Sequence, residues 1–328
     1  ESRGLGDVYK RQDLYHIRND GIVTIVLPHG VLFRGGEEGT IRKNLIDHNN
    51  IDAIIGLPAN IFFGTGIPTI IMVLRKNKRD SDVLIIDASK GFEKDGKNNK
   101  LRACDIKRIV DAYKERPEKI EKFARRVSRA EIVQNDYNLN IPRYVDSSEK
   151  AESWDIYASM FGGIPEAELQ DLSAYWTAFP HLKAALFSPD NEAYCRLNVA
   201  NLKNAVLSHP DVVAFKTAFQ NAFGDFDAYL KSALIDGMTQ LNAAGEEERL
   251  SREIFARLAG IPLVDRYAAY QLLDDDWKKI AIDIEIIQTE GFAATKQVDP
   301  NMVLKKDAEV QDGWVGHVLP FELVQSVK

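Results

Sequence analysis

Three short apolar runs near the start of the sequence constrain the fold more than any other feature. Residues 21–27 (GIVTIVL), 51–57 (IDAIIGL) and 67–74 (IPTIIMVL) are rich in β-branched side chains and are bounded by glycine, proline or asparagine. Because nearly every position in each run is apolar, rather than every second one, we expect strands that are covered on both faces. The sequence therefore predicts an α/β sheet flanked by helices.

The segments between these runs predict how the strands are connected. Residues 37–49 place Ile41, Leu45 and Ile46 on one side of a helix, with Arg42 and Lys43 facing elsewhere. A strand, a helix and a second strand in this order favour a right-handed crossover. Only residues 58–66 separate the second and third runs, too few for a helix and its loops. We therefore expect those two strands to pair antiparallel, so that the sheet reverses direction at this edge.

The following segments predict a fourth strand and then mainly helices. Residues 83–87 form another apolar run, and residues 90–100, rich in lysine, glycine and asparagine, are typical of a mobile loop. Residues 101–129 have a helical pattern in which Pro117 starts a second helix. Ser128 and Glu131 have the spacing of a capping box for a third one. Residues 151–290 are interpreted as mostly helical.

Length and composition indicate a globular chain of two domains. Its 328 residues are 45% hydrophobic, enough for two cores at about 150 residues each. We interpret residues 1–12, which lack any periodicity, as a non-native or truncation-edge segment, residues 13–147 as one domain and residues 148–328 as another. No apolar run of about 18 residues and no secretory signal occurs, so neither a membrane span nor export is indicated, and we expect the cytoplasm.

The two halves of the chain differ in net charge, although the whole chain has a net charge of −7 at pH 7. Residues 1–150 contain 27 Lys and Arg against 22 Asp and Glu, net +5, whereas the rest of the chain is net −12. A basic first half is compatible with a nucleic-acid partner, although charge that serves only solubility is an equal alternative. Cys104 and Cys195 have no partners at metal-ligand spacing, so we expect reduced thiols and no metal site.

The segment between the second and third runs is the main candidate for chemistry. Residues 62–66 (FFGTG) match the F-x-G-x-G pattern of an S-adenosylmethionine loop, and Asp87 ends a strand where a ribose-binding acid would lie. Such a loop must open a helix, however, and Ile67-Pro68 leads into another strand-like run. A glycine-rich hairpin connection is the favoured interpretation. Phe62 and Phe63 then either pack in the core or face a ligand.

Two further groups of residues are candidates for ligand contact. Pro28, His29 and Gly30 lie at the carboxyl end of a predicted strand, where α/β sheets bind ligands, unless His29 merely bonds local backbone. A second group is basic and follows the third strand, where it either contacts DNA phosphates or forms a solvated strand end. Its members are Arg75, Lys76, Lys78 and Arg79.

Several segments, in order, resemble the modification (M) subunit of type I restriction-modification systems. They are residues 25–36 (IVLPHGVLFRGG), 41–45 (IRKNL), 54–68 (IIGLPANIFFGTGIP), 86–89 (IDAS) and 135–144 (NDYNLNIPRY). This resemblance spans about residues 13–147. A looser likeness to the C-terminal extension of one branch of the family involves residues 154–156, 162–166, 288–291, 298–302 and 320–325.

The resemblance implies a fold and an activity. The fold would be the distal half of a Rossmann-like S-adenosylmethionine-dependent methyltransferase sheet with an antiparallel edge strand, followed by a mostly helical region for subunit and DNA assembly. The activity would be adenine-N6 methylation of DNA, in a complex with a specificity subunit and sometimes a restriction subunit. The target adenine must leave the duplex. By analogy, Phe62 and Phe63 lie near the pocket that receives it, and its wall is shaped by Gly64, Thr65, Gly66, Ile67 and Pro68.

The chain also departs from the family pattern. The family's cofactor loop and its Asn-Pro-Pro-Tyr or Asn-Pro-Pro-Phe motif belong upstream of Gly21, and the sequence contains no Pro-Pro pair. An N6-methyltransferase needs that asparagine and prolyl carbonyl to orient the amine of the base. We therefore expect a catalytically inactive fragment that does not bind S-adenosylmethionine, a cofactor of the full-length parent. The alternative is a non-catalytic binding or assembly protein whose sheet is complete.

Overall fold

A computed structural model describes residues 16–148, 154–238, 240–306 and 308–318. The chain divides into two compact units, residues 1–152 and residues 153–328. The domain limits expected at residues 147 and 148 lie close to this division. The segment of residues 1–12, interpreted as non-native, lies outside the described residues.

The first unit contains a six-stranded mixed sheet. Its strands are β1 (Ile22–Pro28), β2 (Ile51–Gly56), β3 (Thr69–Arg75), β4 (Val83–Asp87), β7 (Lys119–Ile120) and β8 (Ala124–Val127), in the order β1-β3-β2-β4-β8-β7. A separate hairpin is formed by β5 (Glu93–Asp95) and β6 (Asn98–Lys100). The helices are α1 (Gly36–Asp47), α2 (Ala103–Glu115) and α3 (Arg129–Gln134), with short 3-10 turns at His29–Leu32 and Ile141–Arg143.

The α/β class predicted from the apolar runs is confirmed. All six residues of β2 are buried, because its side chains alternate between two cores on opposite faces of the sheet. Ile54 packs in the core that includes Leu45 of α1. Ala53 and Ile55 pack in the core that includes Ile109 of α2. β2, β3 and β4 are therefore covered on both faces, as their continuous apolar runs indicated. The prediction is wrong for β1, in which exposed residues alternate with half-buried ones because it is the outermost strand.

β3 is the strand that reverses the direction of the sheet. It pairs antiparallel with β2, as predicted, and also antiparallel with β1. The sequence placed this reversal at an edge of the sheet, but β3 lies between β1 and β2, and β1 is outermost. The crossover through α1 leaves space for one strand between β1 and β2, and β3 fills it.

Two segments differ from their predicted structures. Residues 117–127 form β7 and β8 instead of a second helix, because Arg116 ends α2 in the left-handed region at φ 46° and β4 offers an edge on which Ala124 and Val127 are fully buried. Residues 93–100, in the segment predicted to be a mobile loop, form the paired β5–β6 hairpin, with Gly96 at φ 59° in its turn. Ser128 caps α3 as predicted, since its hydroxyl accepts from the Glu131 N–H at 3.2 Å. The Glu131 carboxylate, which would complete a capping box, accepts hydrogen bonds from Arg125.

Arg42 is buried in α1, although the helical pattern predicted that it faces away from the core. Its guanidinium donates to the carbonyl oxygens of Val31 at 2.8 Å, Arg34 at 3.0 Å and Tyr137 at 2.7 Å. A buried cation is tolerated where each of its donors has an acceptor. The hydrogen bonds of Arg42 therefore connect the turn after β1 with the segment after α3.

The second unit is mostly helical, as predicted. Its helices are α4 (Ile156–Phe161), α5 (Glu166–Asp171), α6 (Ser173–Ala178), α7 (Leu182–Leu186), α8 (Leu202–Ser208), α9 (Pro210–Ala222), α10 (Phe226–Leu230), α11 (Ala243–Leu258) and α12 (Arg266–Glu290), with a π-helix at Lys231–Asp236 and a 3-10 turn at Phe292–Lys296. A small sheet of β9 (Ile164–Pro165), β10 (Phe187–Pro189) and β11 (Tyr194–Leu197), and a hairpin of β12 (Val298–Lys305) and β13 (Ala308–Gly316), complete it.

A buried carboxylate joins three elements at the end of the main sheet where β2 begins. The side chain of Asp52 is 3% exposed and accepts hydrogen bonds from the Tyr113 hydroxyl at 2.6 Å, Arg75 Nε at 2.9 Å and Arg116 at 2.9 Å. Burial alone would raise the pKa of Asp52, but the hydrogen bonds and the two arginine charges outweigh burial and hold that pKa below its ordinary value of 3.8. The charged form of Asp52 therefore stabilises the folded unit.

We predict that Asp52→Asn lowers the opening free energy of β2 and β4 by about 2–3 kcal/mol at neutral pH, because two arginines lose their buried partner. Amide hydrogen exchange of those strands measures this value. Since the folded pKa is depressed, the advantage of the wild type is complete above about pH 5 and shrinks as the pH falls through the folded pKa. The matched control is Asp80→Asn, a half-exposed neighbour of Arg116. Equal protection in both variants would contradict this role.

Candidate functional site

One edge of the main sheet brings together the carboxyl ends of three strands. β2 and β4 run parallel with Gly56 opposite Asp87, and β1 runs the same way because both β1 and β2 are antiparallel to β3. The first residue of β3, Thr69, lies opposite Pro28 at the end of β1. Ligands in open α/β sheets bind outside the carboxyl ends of the parallel strands. This carboxyl edge is therefore the candidate site.

The connection from β2 to β3 consists of residues 57–68. Its second part, residues 62–68, is called the 62–68 loop here and contains a tight turn at this edge. Leu57 N–H donates to the Thr69 carbonyl at 2.9 Å and closes the base of the connection. Phe62 and Thr65 form an isolated antiparallel bridge, and Gly64 has a φ of 79°, which a residue with a Cβ adopts only with strain. The glycine between the two bridge partners thus lets the chain reverse.

The aromatic residues of the 62–68 loop are exposed. Phe63 is 95% exposed and Phe62 is 40% exposed, and Ile67 beside them is also exposed. The alternative that these phenylalanines belong to the core is therefore wrong for Phe63. A group of apolar side chains on one short loop, next to the strand ends where ligands bind, is the kind of surface that contacts a partner or a ligand.

The 62–68 loop is held from one side by the β5–β6 hairpin. Asn99 of β6 donates from its backbone N–H to the Asn60 carbonyl at 2.9 Å and from its side chain to the Ala59 carbonyl at 2.7 Å. Asn60 in turn lies against Gly66, where an added Cβ would be 3.0 Å from the Asn60 Oδ1. Asn99 was not among the candidate residues predicted from the sequence. The Asp95-Gly96 pair, typical of a hairpin turn, was the available signal.

His29 lies beside the 62–68 loop. Its backbone N–H donates to the Pro68 carbonyl at 3.1 Å, so the segment of Pro28, His29 and Gly30 joins the loop at the same edge. Burial lowers the pKa of the His29 imidazole, and the negative charge of Asp87 partly opposes that shift. The pKa lies below 6.5, so the neutral imidazole predominates at neutral pH.

Asp87 does not have the surroundings of a ribose-binding acid. One carboxylate oxygen accepts from the Ser89 N–H at 3.1 Å and the other from the Ser147 hydroxyl at 2.6 Å. The 62–68 loop leads into strand β3 and not into a helix. Both observations agree with the physical argument against an S-adenosylmethionine loop at residues 62–66.

The four basic residues after the third apolar run lie at the opposite end of β3. Arg75 is six positions from Thr69, about 20 Å along a strand, and is bonded to Asp52. The Lys78 amine is buried and donates to the Ile51 carbonyl at 3.1 Å, and burial lowers its pKa. The Lys76 amine donates to the Ile17 carbonyl at 3.3 Å. Arg79 is exposed. The sequence-predicted residues thus form two separate sets.

Other classes of site receive no support from the described residues. Those residues contain no group of three or more His, Cys, Asp or Glu side chains that could hold a metal ion. Cys104 and Cys195 are both buried. No helix in the described part of the chain is long and apolar enough to cross a membrane.

Comparison with known proteins identifies the family that the first unit resembles. The family model N-6 DNA Methylase matches residues 9–153. The MpnII type I restriction enzyme methylase subunit of Mycoplasma pneumoniae is 41% identical over 144 residues, 44% of this chain and 26% of that protein. The MjaVII methylase subunit of Methanocaldococcus jannaschii is 45% identical over 140 residues, 41% of this chain and 24% of that protein. The chain thus spans about a quarter of the length of these relatives.

One solved structure is also similar to this chain over part of its length. The type I restriction-modification methyltransferase subunit of Streptococcus thermophilus is 54% identical, with a TM-score of 0.42, over 43% of this chain and 30% of that one. The segment matched by the family model contains the whole carboxyl edge, from His29 to Asp87, including the 62–68 loop. The resemblance noted in the sequence is confirmed for the first unit.

Proposed function

We propose, on the premise that residues 9–153 belong to the N-6 DNA methylase family, that the chain is part of a type I methylase subunit. In the full-length protein this subunit would transfer a methyl group from S-adenosylmethionine to the N6 amine of an adenine in DNA. The observation that carries the proposal is the position of the family match, which contains both the exposed aromatic loop and the strand ends around it. This chain itself is proposed to be an inactive part of that enzyme.

The 62–68 loop is proposed to receive the target adenine. A base that leaves the duplex loses its stacking neighbours, and an aromatic side chain restores one of them. Phe63 offers a nearly fully exposed ring for this contact, and Phe62 lies beside it. Gly64, Thr65, Gly66, Ile67 and Pro68 would form the adjoining wall. The antiparallel bridge between Phe62 and Thr65 supports this role because it places Phe63 at the tip of a turn.

His29 is proposed to contribute a polar contact at the same site. The neutral imidazole has one nitrogen that accepts a hydrogen bond, and the amine of adenine is a donor. The hydrogen bond from the His29 backbone to the Pro68 carbonyl keeps this segment next to the loop. Pro28 and Gly30 complete the proposed edge.

The cofactor is proposed to bind elsewhere in the full-length methylase. An adenosyl group needs amides at the start of a helix and a free acid for its ribose. In the described part of the first unit, the 62–68 loop is followed by a strand and both oxygens of Asp87 are engaged. These residues do not fit the cofactor, so no step of the reaction is assigned through it here.

Contact of Arg75, Lys76, Lys78 and Arg79 with DNA phosphates remains a separate prediction. Arg75 and Lys78 are engaged within the chain, and their bonds to Asp52 and to the Ile51 carbonyl would have to break before either could bind a phosphate. The exposed Arg79 is the best placed member of this set.

We predict that Phe63→Ala in the full-length methylase, assembled with its partner subunits, lowers methyl transfer more than tenfold. The reason is loss of the ring that stacks on the base, and transfer of a labelled methyl group to DNA measures it. Because Phe63 is so exposed, the free energy of unfolding should change by less than about 0.5 kcal/mol. Ile106→Ala, an exposed apolar residue of α2, is the control. Unaltered transfer by Phe63→Ala would remove this residue from the site.

We also propose that the second unit binds the specificity subunit of the same enzyme, and that a restriction subunit joins the complex in some states. Support comes from α4 and from Trp154, two residues before it. Trp154, Ile156, Met160 and Phe161 are all largely exposed within eight residues of sequence. A dense group of exposed apolar side chains marks a surface that a protein partner covers.

We predict that Met160→Glu combined with Phe161→Glu reduces co-purification of the specificity subunit at least tenfold, because two charges would have to be buried in the contact. Affinity capture of the tagged chain from cells that express both subunits measures the effect. Leu272→Glu, which changes an exposed apolar residue of α12, should leave capture unchanged. Full recovery of the partner by the double variant would show that α4 is not the contact.

A further inference from the structure

We propose that the β5–β6 hairpin carries a DNA-phosphate contact that serves the 62–68 loop, with Lys94 as the contacting cation. This inference rests on the proposed function, because it assumes that the loop receives a base from DNA. It assigns a role to a segment that the sequence predicted to be an irregular loop, and it differs from the basic set at Arg75.

The hairpin and the 62–68 loop are held together at their bases. Asn99 is buried, and its two hydrogen bonds reach the carbonyl oxygens of Ala59 and Asn60, directly before the loop. These bonds join β6 to the chain that leads into Phe62. A cation on the loop-facing side of this hairpin therefore lies on an element that is bonded to the chain just before the loop.

The strand register places the charged side chains of the hairpin on different faces. Lys94 lies opposite Asn99, so their side chains share the face that is directed at the loop base. Glu93 lies opposite Lys100, and Asp95 lies opposite Asn98, on the other face. Both acidic residues of the hairpin are thus directed away from Lys94.

Lys94 and Lys100, the two lysines on the strands of the hairpin, have different neighbours because they lie on opposite faces. Lys100 is 4.0 Å from the carboxylate of its opposite residue, Glu93. The Lys94 amine lies 5.5 Å from the centre of the Phe92 ring, which contributes no negative charge. Lys94 is exposed, so its amine is accessible to an outside anion.

A base held at the loop requires phosphate contacts close by. Neighbouring phosphates of one strand are about 3.4 Å apart along the duplex axis, so those that flank the target adenine lie near the loop. The Arg75 set is about 20 Å away at the other end of β3. Lys94 is on the correct edge of the sheet, and a lysine–phosphate contact positions DNA without reading its sequence.

The test compares Lys94→Gln with Lys100→Gln in the assembled methylase. The probe is a fluorescein-labelled duplex of about 30 base pairs and mixed sequence, bound at several salt concentrations. Loss of one phosphate contact should make the slope of log K against log salt shallower by about 0.9 for Lys94→Gln. The KM for DNA should rise severalfold with kcat unchanged, because phosphate binding is equal in ground and transition states. Lys94→Arg should restore the wild-type slope, and Lys100→Gln should retain it.

Three results would contradict the assignment of the phosphate contact to Lys94. If the wild-type complex binds and methylates DNA but Lys94→Gln keeps the wild-type slope, the hairpin inference is overturned and the proposed function stands. If Lys94→Gln and Lys100→Gln change the slope equally, the effect is general surface charge and the assignment to one face is wrong. If the wild-type complex neither binds nor methylates DNA, the proposed function fails and this inference fails with it.

Discussion

The antiparallel insertion of β3 between β1 and β2 is the constraint on which the rest of the first unit depends. Because β3 enters at the carboxyl edge, the chain leaving β2 must turn back there, and the 62–68 loop is the turn. The pairing of β3 with β1 also places Pro68 next to His29, whose N–H bonds its carbonyl at 3.1 Å. A single strand placement thus brings the exposed aromatic residues, the histidine segment and the end of β4 to one edge.

The two ends of β3 use polar residues for different purposes. At its carboxyl end, Arg75 and the neighbouring Arg116 saturate the buried Asp52, so these charges stabilise the fold. At its amino end, the loop exposes Phe63. The residues just before the loop accept one hydrogen bond from the backbone of Asn99 and one from its side chain, which leaves the loop surface open to a ligand. The described structure therefore separates a stabilising polar cluster from a surface suited to binding, although both are rich in residues that the sequence marked as candidates.

Continuous apolar runs predicted the buried strands β2, β3 and β4, because a strand covered on both faces is apolar at nearly every position. They did not predict that β1 is exposed on one face, because the position of a strand at the edge of a sheet is not encoded in its own apolar pattern. The helical periodicity of residues 37–49 gave a wrong prediction for Arg42, which is buried. Its guanidinium donates hydrogen bonds to carbonyl oxygens, and one of them belongs to Tyr137, which is far away in the sequence. Periodicity also gave a wrong prediction at residues 117–127, where the open edge of β4 outweighed a helical pattern. The exposure of Phe63 was undecidable from sequence, because a phenylalanine beside glycines is equally compatible with a core position and an open loop.

The most direct test of the central claim is photo-crosslinking from the methylated position of the DNA. A photoreactive adenine analogue would replace the target base in a duplex bound to the assembled methylase, and mass spectrometry would identify the attached residue. Our account predicts attachment at Phe62 or Phe63, at the carboxyl edge. Attachment confined to the opposite end of β3, at residues such as Arg79, would contradict it.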